Sequence, residues 1–161
     1  MIDTRTLQKD DDLHDLIVVS RQFFEEYQAH HKEFFHVDDL HDNDIVEFFY
    51  RSIDSEDSAT FIAVAEDRIV GYITASIRSQ PSFYRVKRMG AISGLMIHKD
   101  YRRRGIASQL FDRAVAFFQD KGVKYFTPYT ATANRVAIRF YEQHGMSPLQ
   151  SIMLGQIDSQ R

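Results

Sequence analysis

The stretch that decides the fold reads GLMIHKDYRRRGIASQL, residues 94–110. A short apolar run leads into three consecutive arginines and a glycine, and apolar residues at helical spacing follow. This order predicts a strand that passes through a tight turn into a helix beginning near Gly105. The helix pattern continues to about Lys121, where Gly122 is placed to end it.

The turn has the chemistry of an anion site. The first N–H groups of a helix lack partners within the helix, and the helix dipole adds partial positive charge beside them. A glycine permits a tight turn there, and arginines bind phosphate oxygens with two donors at once. We therefore predict a pyrophosphate cradle formed by Arg102, Arg103, Arg104, Gly105, Ile106, Ala107 and Ser108. A solvated basic corner is the alternative, and neither a P-loop nor a Rossmann fingerprint is present.

The remaining patterns predict the order strand, two helices, three strands, helix, strand, helix, strand. The strands are predicted at 2–7, twice within 59–77 with a hairpin break at Glu66-Asp67, and at 85–98, 124–130 and 148–157; the helices are predicted at 11–31, 40–53, 105–121 and 133–145. We expect an α/β (α+β) fold, a single mixed, mostly antiparallel twisted sheet of six to seven strands flanked by helices, in one domain over residues 1–161. The strands on either side of helix 105–121 should be parallel and joined by a right-handed crossover.

Composition excludes several classes of protein. Of 161 residues, 43% are hydrophobic and none is cysteine, which excludes a disordered chain, a disulfide framework and a cysteine nucleophile. No apolar run reaches the roughly 20 residues that cross a bilayer, and the polar, acidic N-terminus does not read as a secretory signal. We therefore expect a cytoplasmic protein with no membrane partner.

Charge is divided unevenly along the chain. Residues 1–60 carry 16 acidic and 5 basic side chains, whereas residues 61–161 carry 7 and 15. This asymmetry indicates two partners of opposite charge, a cationic one for the first part and an anionic one for the second. Acidic helices that are simply solvated are the alternative. Nucleic acid is not expected as a partner, because the net charge is −3.

Two motifs together resemble the GNAT superfamily of acetyl-CoA-dependent N-acetyltransferases. Arg102-x-x-Gly105-x-Ala107 after a strand is similar to the family's acyl-CoA motif, and NRVAIRFYEQHGM, residues 134–146, is similar to its next motif. The resemblance covers residues 59–157 well and residues 1–58 in outline. It implies the GNAT fold, acetyl-CoA as co-substrate, no metal, and a homodimer as a common assembly.

The resemblance also implies roles for individual residues. The loop from Arg102 would bind the pyrophosphate of coenzyme A through its N–H groups. Leu95, Met96 and Ile97 would pair with the pantetheine arm, and Asn134 would contact it unless it serves only as a helix cap. Tyr141 would be the general acid for the departing thiolate, with a core aromatic as the alternative role. A primary amine of a small molecule or peptide would attack the thioester directly, and a noncatalytic acyl-CoA-binding protein is the alternative function.

The sequence does not identify a general base. Residues 86–97 contain no acidic side chain, and the candidates that remain are Glu25, Glu26, Glu33, Asp38 and Asp39. His30, His31, His36 and His41 follow no standard metal spacing. Phe34, Phe35 and the connection 79–88 could border an acceptor site, although core packing is the more common fate of such aromatics.

Overall fold

The sheet has five strands in a computed structural model that describes residues 1–158. Its strands are β1 (Ile2–Thr6), β2 (Ser58–Ala65), β3 (Arg68–Ser79), β4 (Arg88–Ile97) and β5 (Phe126–Pro128). They lie in chain order across the sheet. The first four are antiparallel to their neighbours, and β5 runs parallel to β4. The mixed, mostly antiparallel sheet and the parallel pair around the third helix are thus confirmed.

Four helices accompany the sheet. They are α1 (His14–Tyr27), α2 (Asp42–Ile53), α3 (Ile106–Asp120) and α4 (Arg135–Gln143), and short 3₁₀ turns lie at Gln28–His30 and Lys99–Tyr101. No helix within residues 1–158 combines the length and the apolar composition that crossing a bilayer requires.

Apolar side chains of β2 alternate between the two faces of the sheet, and helices pack against both faces. Ile62 is fully buried in a cluster with Leu16 of α1 and Phe49 of α2. Its neighbour Phe61 points to the other face, where its ring meets Phe117 of α3 at 6.3 Å between centroids. One face is therefore covered by α1 and α2 and the other by α3.

The predicted hairpin between β2 and β3 is present. Glu66 and Asp67 form its turn with φ values of 52° and 62°, the left-handed conformation that two-residue hairpin turns require and that aspartate adopts more readily than most residues. Gly122 and Gly145 follow α3 and α4 with φ of 72° and 82°, as helix-ending glycines do.

The predicted last strand is wrong. Residues 148–157 form neither strand nor helix, so the described sheet has five strands rather than six or seven. The segment has the apolar alternation of a strand, but five of its large apolar side chains are 56–92% exposed. Alternation sets the two faces of a strand, whereas forming one also requires a hydrogen-bonded neighbour, which the pattern does not report.

The chain divides into two compact units, Met1–Tyr129 and a second unit that begins at Thr130. The larger unit contains the whole sheet with α1, α2 and α3, and the second contains α4. The single domain over residues 1–161 stays a prediction.

Candidate functional site

The predicted anion cradle forms the start of α3. Gly105 caps the helix in the left-handed conformation, with φ of 75°, and Arg103 shares that region with φ of 62°. The first intrahelical bond runs from Gln109 N to Gly105 O at 3.2 Å. The N–H groups of residues 106–108 therefore lie ahead of the helix ladder, where they can donate to an anion.

Gly105 is required here by its backbone and not by crowding. A Cβ built on it would meet no heavy atom within 4 Å. The left-handed φ is what a non-glycine residue would find strained, and the open space in front of the residue is where a ligand can approach. The structure thus fits a diphosphate through main-chain donors at an open helix terminus.

The strand that leads into this turn contains a bulge. Ala75 pairs with Ile92 and Thr74 pairs with Gly94, so Ser93 is an extra residue on β4. Ser93 is exposed, and its hydroxyl lies 2.7 Å from that of the buried Thr74. A bulge increases local twist and bends its strand, which turns β4 away from a straight course at Ser93.

The same point marks the end of the pairing between β4 and β5. The register runs from Gly90↔Phe126 to Ile92↔Pro128 and stops there. Proline has no N–H to donate to a longer ladder. From Ser93 onward, β4 therefore has an edge that β5 does not cover.

Two hydrogen bonds show which backbone groups face that edge. Gly90 N donates to Tyr125 O just before β5, whereas His98 N donates to Val70 O in β3. Gly90 and His98 are an even number of residues apart, so in a regular strand their N–H groups would face the same side. The extra residue at the bulge explains why they face opposite sides. The N–H and C=O groups of successive residues face opposite sides of a strand. The backbone groups of Met96 therefore face β3, and those of Leu95 and Ile97 face the uncovered edge.

This alternation reduces the residues predicted to pair with the pantetheine arm from three to two. Of the three residues expected to bind the pantetheine arm, Leu95 and Ile97 have backbone groups on the open edge. Met96 lies opposite Tyr72 in the β3 ladder and is only 8% exposed, so its amide faces away from that edge.

Arg102 contacts the protein rather than projecting freely into the cradle. Its Nε donates to Ile97 O at 3.0 Å, and its second guanidinium nitrogen donates to Glu26 of α1 at 2.7 Å. The same nitrogen lies 3.8 Å from the sulfur of Met96. Arg102 therefore connects the end of β4, the cradle and α1.

The other two arginines of the cradle are exposed. The Arg104 guanidinium lies 5.1 Å from the centroid of the Tyr101 ring and donates to Asp100 O at 3.4 Å. The main chain of Arg103 is in the left-handed conformation. Both leave positive charge beside the N-terminus of α3.

In the second unit, Asn134 caps α4. Its side-chain oxygen accepts a hydrogen bond from Ala137 N at 3.2 Å, which is the cap that its position predicts. Tyr141 lies on the same helix, where its ring meets that of Phe140 at 5.4 Å. Burial raises the pKa of the Tyr141 phenol to about 12, so the group is protonated at neutral pH.

The candidate bases are mostly engaged by other groups. Glu26 is paired with Arg102, Asp38 lies 3.0 Å from His36, and Asp39 lies 2.9 Å from His41. His31 accepts a hydrogen bond from Phe34 N. Within residues 1–158, no three His, Cys, Asp or Glu side chains are grouped to share a metal ion.

Sequence reasoning missed the group of residues around the bulge. Tyr72 of β3 is 4% exposed, burial raises the pKa of its phenol, and a Cβ on Gly94 would lie 3.3 Å from its ring. Tyr72, Thr74 and Ser93 come together only through the β3–β4 register. A glycine within a strand pattern, such as Gly94, is typical of a bulge or a close backbone approach, but no local pattern marks its partners.

Comparison with known proteins identifies the family. The model of the acetyltransferase (GNAT) family matches residues 19–146, and the chain therefore belongs to that family.

Individual relatives agree with this assignment. An N-alpha-acetyltransferase, daf-31, of Caenorhabditis elegans is 30% identical over 83 residues, which are 49% of this chain and 44% of that protein. The chain spans about half the length of the curated relatives it matches. Among solved structures, a tetramutant of the BH1408 protein from Bacillus halodurans has a TM-score of 0.82 at 19% identity, covering 96% of this chain and 99% of that one. AAC(6')-Iy in complex with a bisubstrate analog, CoA-S-monomethyl-acetylneamine, has a TM-score of 0.76 at 18% identity, with 98% and 99% covered. These similarities show the GNAT fold.

Proposed function

We propose that this protein is an acetyl-CoA-dependent N-acetyltransferase whose acceptor is a primary amine of a small molecule or peptide. One observation carries the proposal: the uncovered edge of β4 leads directly into the left-handed Gly105 and the free first turn of α3. A strand edge followed by a helix N-terminus offers main-chain donors along the full length of an extended ligand that ends in a diphosphate.

The acceptor class follows from charge and from the relatives. The acidic first part of the chain contains α1 and α2, and it favours a cationic amine. The structural neighbours include an aminoglycoside N-acetyltransferase, and the curated relatives include N-alpha-acetyltransferases. Both acceptor types carry amines that are cationic at neutral pH. The cytoplasmic location and the homodimer remain predictions beside this one.

The backbone N–H groups of Leu95 and Ile97 are the hydrogen-bond donors beside the reacting thioester. Acetyl-CoA supplies the acetyl group as a thioester. An N–H fixed by the β3–β4 ladder stabilises the carbonyl oxygen that gains negative charge, an effect of about 3 kcal/mol in comparable oxyanion sites. The sequence has no cysteine to carry the acetyl group, so the amine attacks the thioester directly in a ternary complex.

Tyr141 acts as a hydrogen-bond donor that keeps its proton. Its pKa of about 12 lies well above the ~8.5 of a thiol, so complete transfer of its proton to the thiolate would be uphill by about 5 kcal/mol. A phenol that donates a hydrogen bond still stabilises the leaving sulfur. The acceptor ammonium first loses one proton to water or a carboxylate. The proton that leaves nitrogen as the amide forms passes, through water or a carboxylate, to the thiolate, so the products are amide, thiol and one released proton.

The test is thiol release from acetyl-CoA with a panel of amines. We expect turnover with cationic amines and little with amines that carry several carboxylates. Tyr141→Phe should lower kcat about 10- to 100-fold, the range expected when one hydrogen bond to a charged group is lost, while acetyl-CoA affinity by calorimetry changes less than about twofold. Since the phenol stays protonated, this deficit should be nearly constant from pH 6 to 10.

Phe140→Leu, a neighbouring aromatic on the same helix, is the matched control and should keep most of the turnover. Full activity of Tyr141→Phe across this pH range would remove Tyr141 from the mechanism.

A noncatalytic acyl-CoA-binding protein is the second candidate. The cradle serves it equally well, because binding a diphosphate needs no reaction. Heat from CoA thioesters in calorimetry without turnover of any amine would favour it, and the absence of heat would contradict both functions.

A further inference from the structure

The connection between β3 and β4, residues 80–87, lies in the segment that the sequence analysis expected to border an acceptor site, but its basic side chains do not suit the proposed cationic amine. We propose that this segment, the β3–β4 tip, is a docking site for an acidic, apolar segment of a partner protein. The inference goes beyond the proposed function and does not depend on it.

The tip is held rigidly by its own side chains. Gln80 N donates to Lys87 O at 2.8 Å, and the Gln80 side chain donates to Val86 O at 2.7 Å. The Lys87 ammonium donates to the carbonyl oxygens of Tyr84, at 2.7 Å, and Ser82. A loop ordered before binding loses less conformational entropy when it binds.

This ordered tip presents two aromatic rings to solvent. Phe83 is 82% exposed and Tyr84 is 49% exposed, with ring centroids 5.0 Å apart. Exposing a phenylalanine to this degree contributes nothing to the core. Phenylalanine, tyrosine and arginine are enriched at protein interfaces, and here Phe83, Tyr84 and Arg85 are consecutive in the sequence, with the two rings in contact.

The charge around the rings selects an acidic partner. Residues 68–99 contain no acidic side chain, and Arg78, Arg85, Lys87 and Arg88 lie in or beside the tip. From the packed elements, Asp57 before β2 approaches Arg88 at 3.9 Å. Neither Arg78 nor Arg85 forms an ion pair within residues 1–158. The Lys87 ammonium donates to neutral carbonyl oxygens, so no carboxylate within residues 1–158 offsets its positive charge.

A polypeptide fits this patch better than a nucleic acid. Four cations neutralise few phosphates, and the acidic first part of the chain would repel a long polyanion. A short acidic segment with apolar residues matches both the arginines and the exposed rings. The tip precedes β4 whereas the anion cradle follows it, and a ten-residue strand separates them by about 30 Å. The docking site is therefore distinct from the cofactor site.

The experiment uses the full chain and a fluorescein-labelled peptide in which two leucines are flanked by glutamates. Anisotropy should show saturable binding that weakens as salt rises. Arg85→Glu should weaken it about tenfold and Phe83→Ser about fivefold, the range of interface anchors. Arg51→Glu, the same charge change at an exposed position on α2, should alter it less than about twofold.

Two further probes separate the alternatives. A peptide with lysines in place of the glutamates should not bind, and oligothymidine of equal length should bind more weakly than the acidic peptide. The proposal is overturned if the acidic peptide does not bind, if all variants bind it equally, or if oligothymidine binds more tightly. Acetyl-CoA affinity should be the same in every variant, so failure here leaves the proposed enzyme untouched.

Discussion

Gly105 and Gly122 stand at the two ends of α3 with nearly the same backbone conformation. Their φ values are 75° and 72°, and a Cβ on either would meet no heavy atom within 4 Å. A side chain at either site therefore brings a similar backbone strain of about 1 kcal/mol and no steric clash. The two positions differ only in which end of the helix dipole they occupy.

This symmetry gives a controlled test of the cradle. Gly105→Glu should abolish acetyl-CoA binding by calorimetry, because it places a carboxylate where a diphosphate is proposed. Gly122→Glu should bind acetyl-CoA as the natural chain does. Urea unfolding should show that both variants lose about 1 kcal/mol of stability. Equal loss of binding in the two variants would contradict the assignment of the cradle.

At the residue level, sequence predicted what depends on near neighbours. The glycine at a helix start and the asparagine cap at 134 are local features, and both are present. The partner of Arg102 could not be predicted, because Glu26 lies 76 positions away in the chain. The open-edge role of Leu95 and Ile97 also needed the structure, since a one-residue bulge decides which amides face outward.

Two ion pairs brace the elements of the first part of the chain. Arg5 of β1 binds Asp11 through two hydrogen bonds of 2.8 and 2.6 Å, and Arg68 of β3 binds Asp15 of α1 at 2.8 Å. The hydrogen bonds from the arginines hold the pKa of each carboxyl below its ordinary value of 3.8. Each pair therefore adds stability above that value and loses it as the pH falls through the lower, folded-state pKa.

Replacing Asp11 with asparagine should expose this dependence. At pH 7 we expect Asp11→Asn to lose about 1 kcal/mol of unfolding free energy, a modest value because Arg5 is partly exposed. As the pH falls below the lowered, folded-state pKa of Asp11, the difference from the natural chain should approach zero, because the carboxyl is then protonated in both states. Asp10→Asn, at an exposed neighbouring position, is the control in urea unfolding at both pH values. A difference that stays constant with pH would argue against the ion pair.

Element prediction succeeded where a pattern and its partner lie close together. The β2–β3 hairpin was predicted because its short connection leaves few alternatives, and the parallel β4–β5 pair was predicted because a helix between two neighbouring strands is the usual crossover of a parallel pair. The segment 148–157 failed because alternation alone does not supply a neighbouring strand. The strand predicted at 124–130 is reduced to the three residues of β5, ending at a proline.

For the whole molecule, the segment 148–157 and the sheet edge at β5 suggest how two chains assemble. Five large apolar side chains of the segment are exposed, and β5 is the last strand of the described sheet. An apolar strand pattern on one copy and an unextended sheet edge on another favour strand addition between copies. We expect a homodimer in which this segment extends the sheet of a second copy.

Light scattering tests this assembly. The natural chain should have twice its mass of 18.8 kDa, and Ile152→Asp with Leu154→Asp should shift it to the monomer. Phe34→Asp, which removes a 62% exposed aromatic ring in the larger unit, should remain dimeric. A natural chain that is monomeric at high concentration would rule out the proposed exchange.

The bulge at Ser93 implies that the presence of one extra residue distinguishes a regular antiparallel sheet from a sheet that can bind the cofactor of a transferase. Without Ser93, Ile92 and Gly94 would follow one another with the same pairing to β3 and the same side-chain faces, so the deletion should keep the fold and its cooperativity. It also removes the hydrogen bond between Ser93 and the buried Thr74, which should cost about 1 kcal/mol. What disappears besides is the bend that parts β4 from β5. The shortened protein should unfold cooperatively yet no longer retain acetyl-CoA, which would assign the ligand groove to one inserted residue rather than to the composition of its walls.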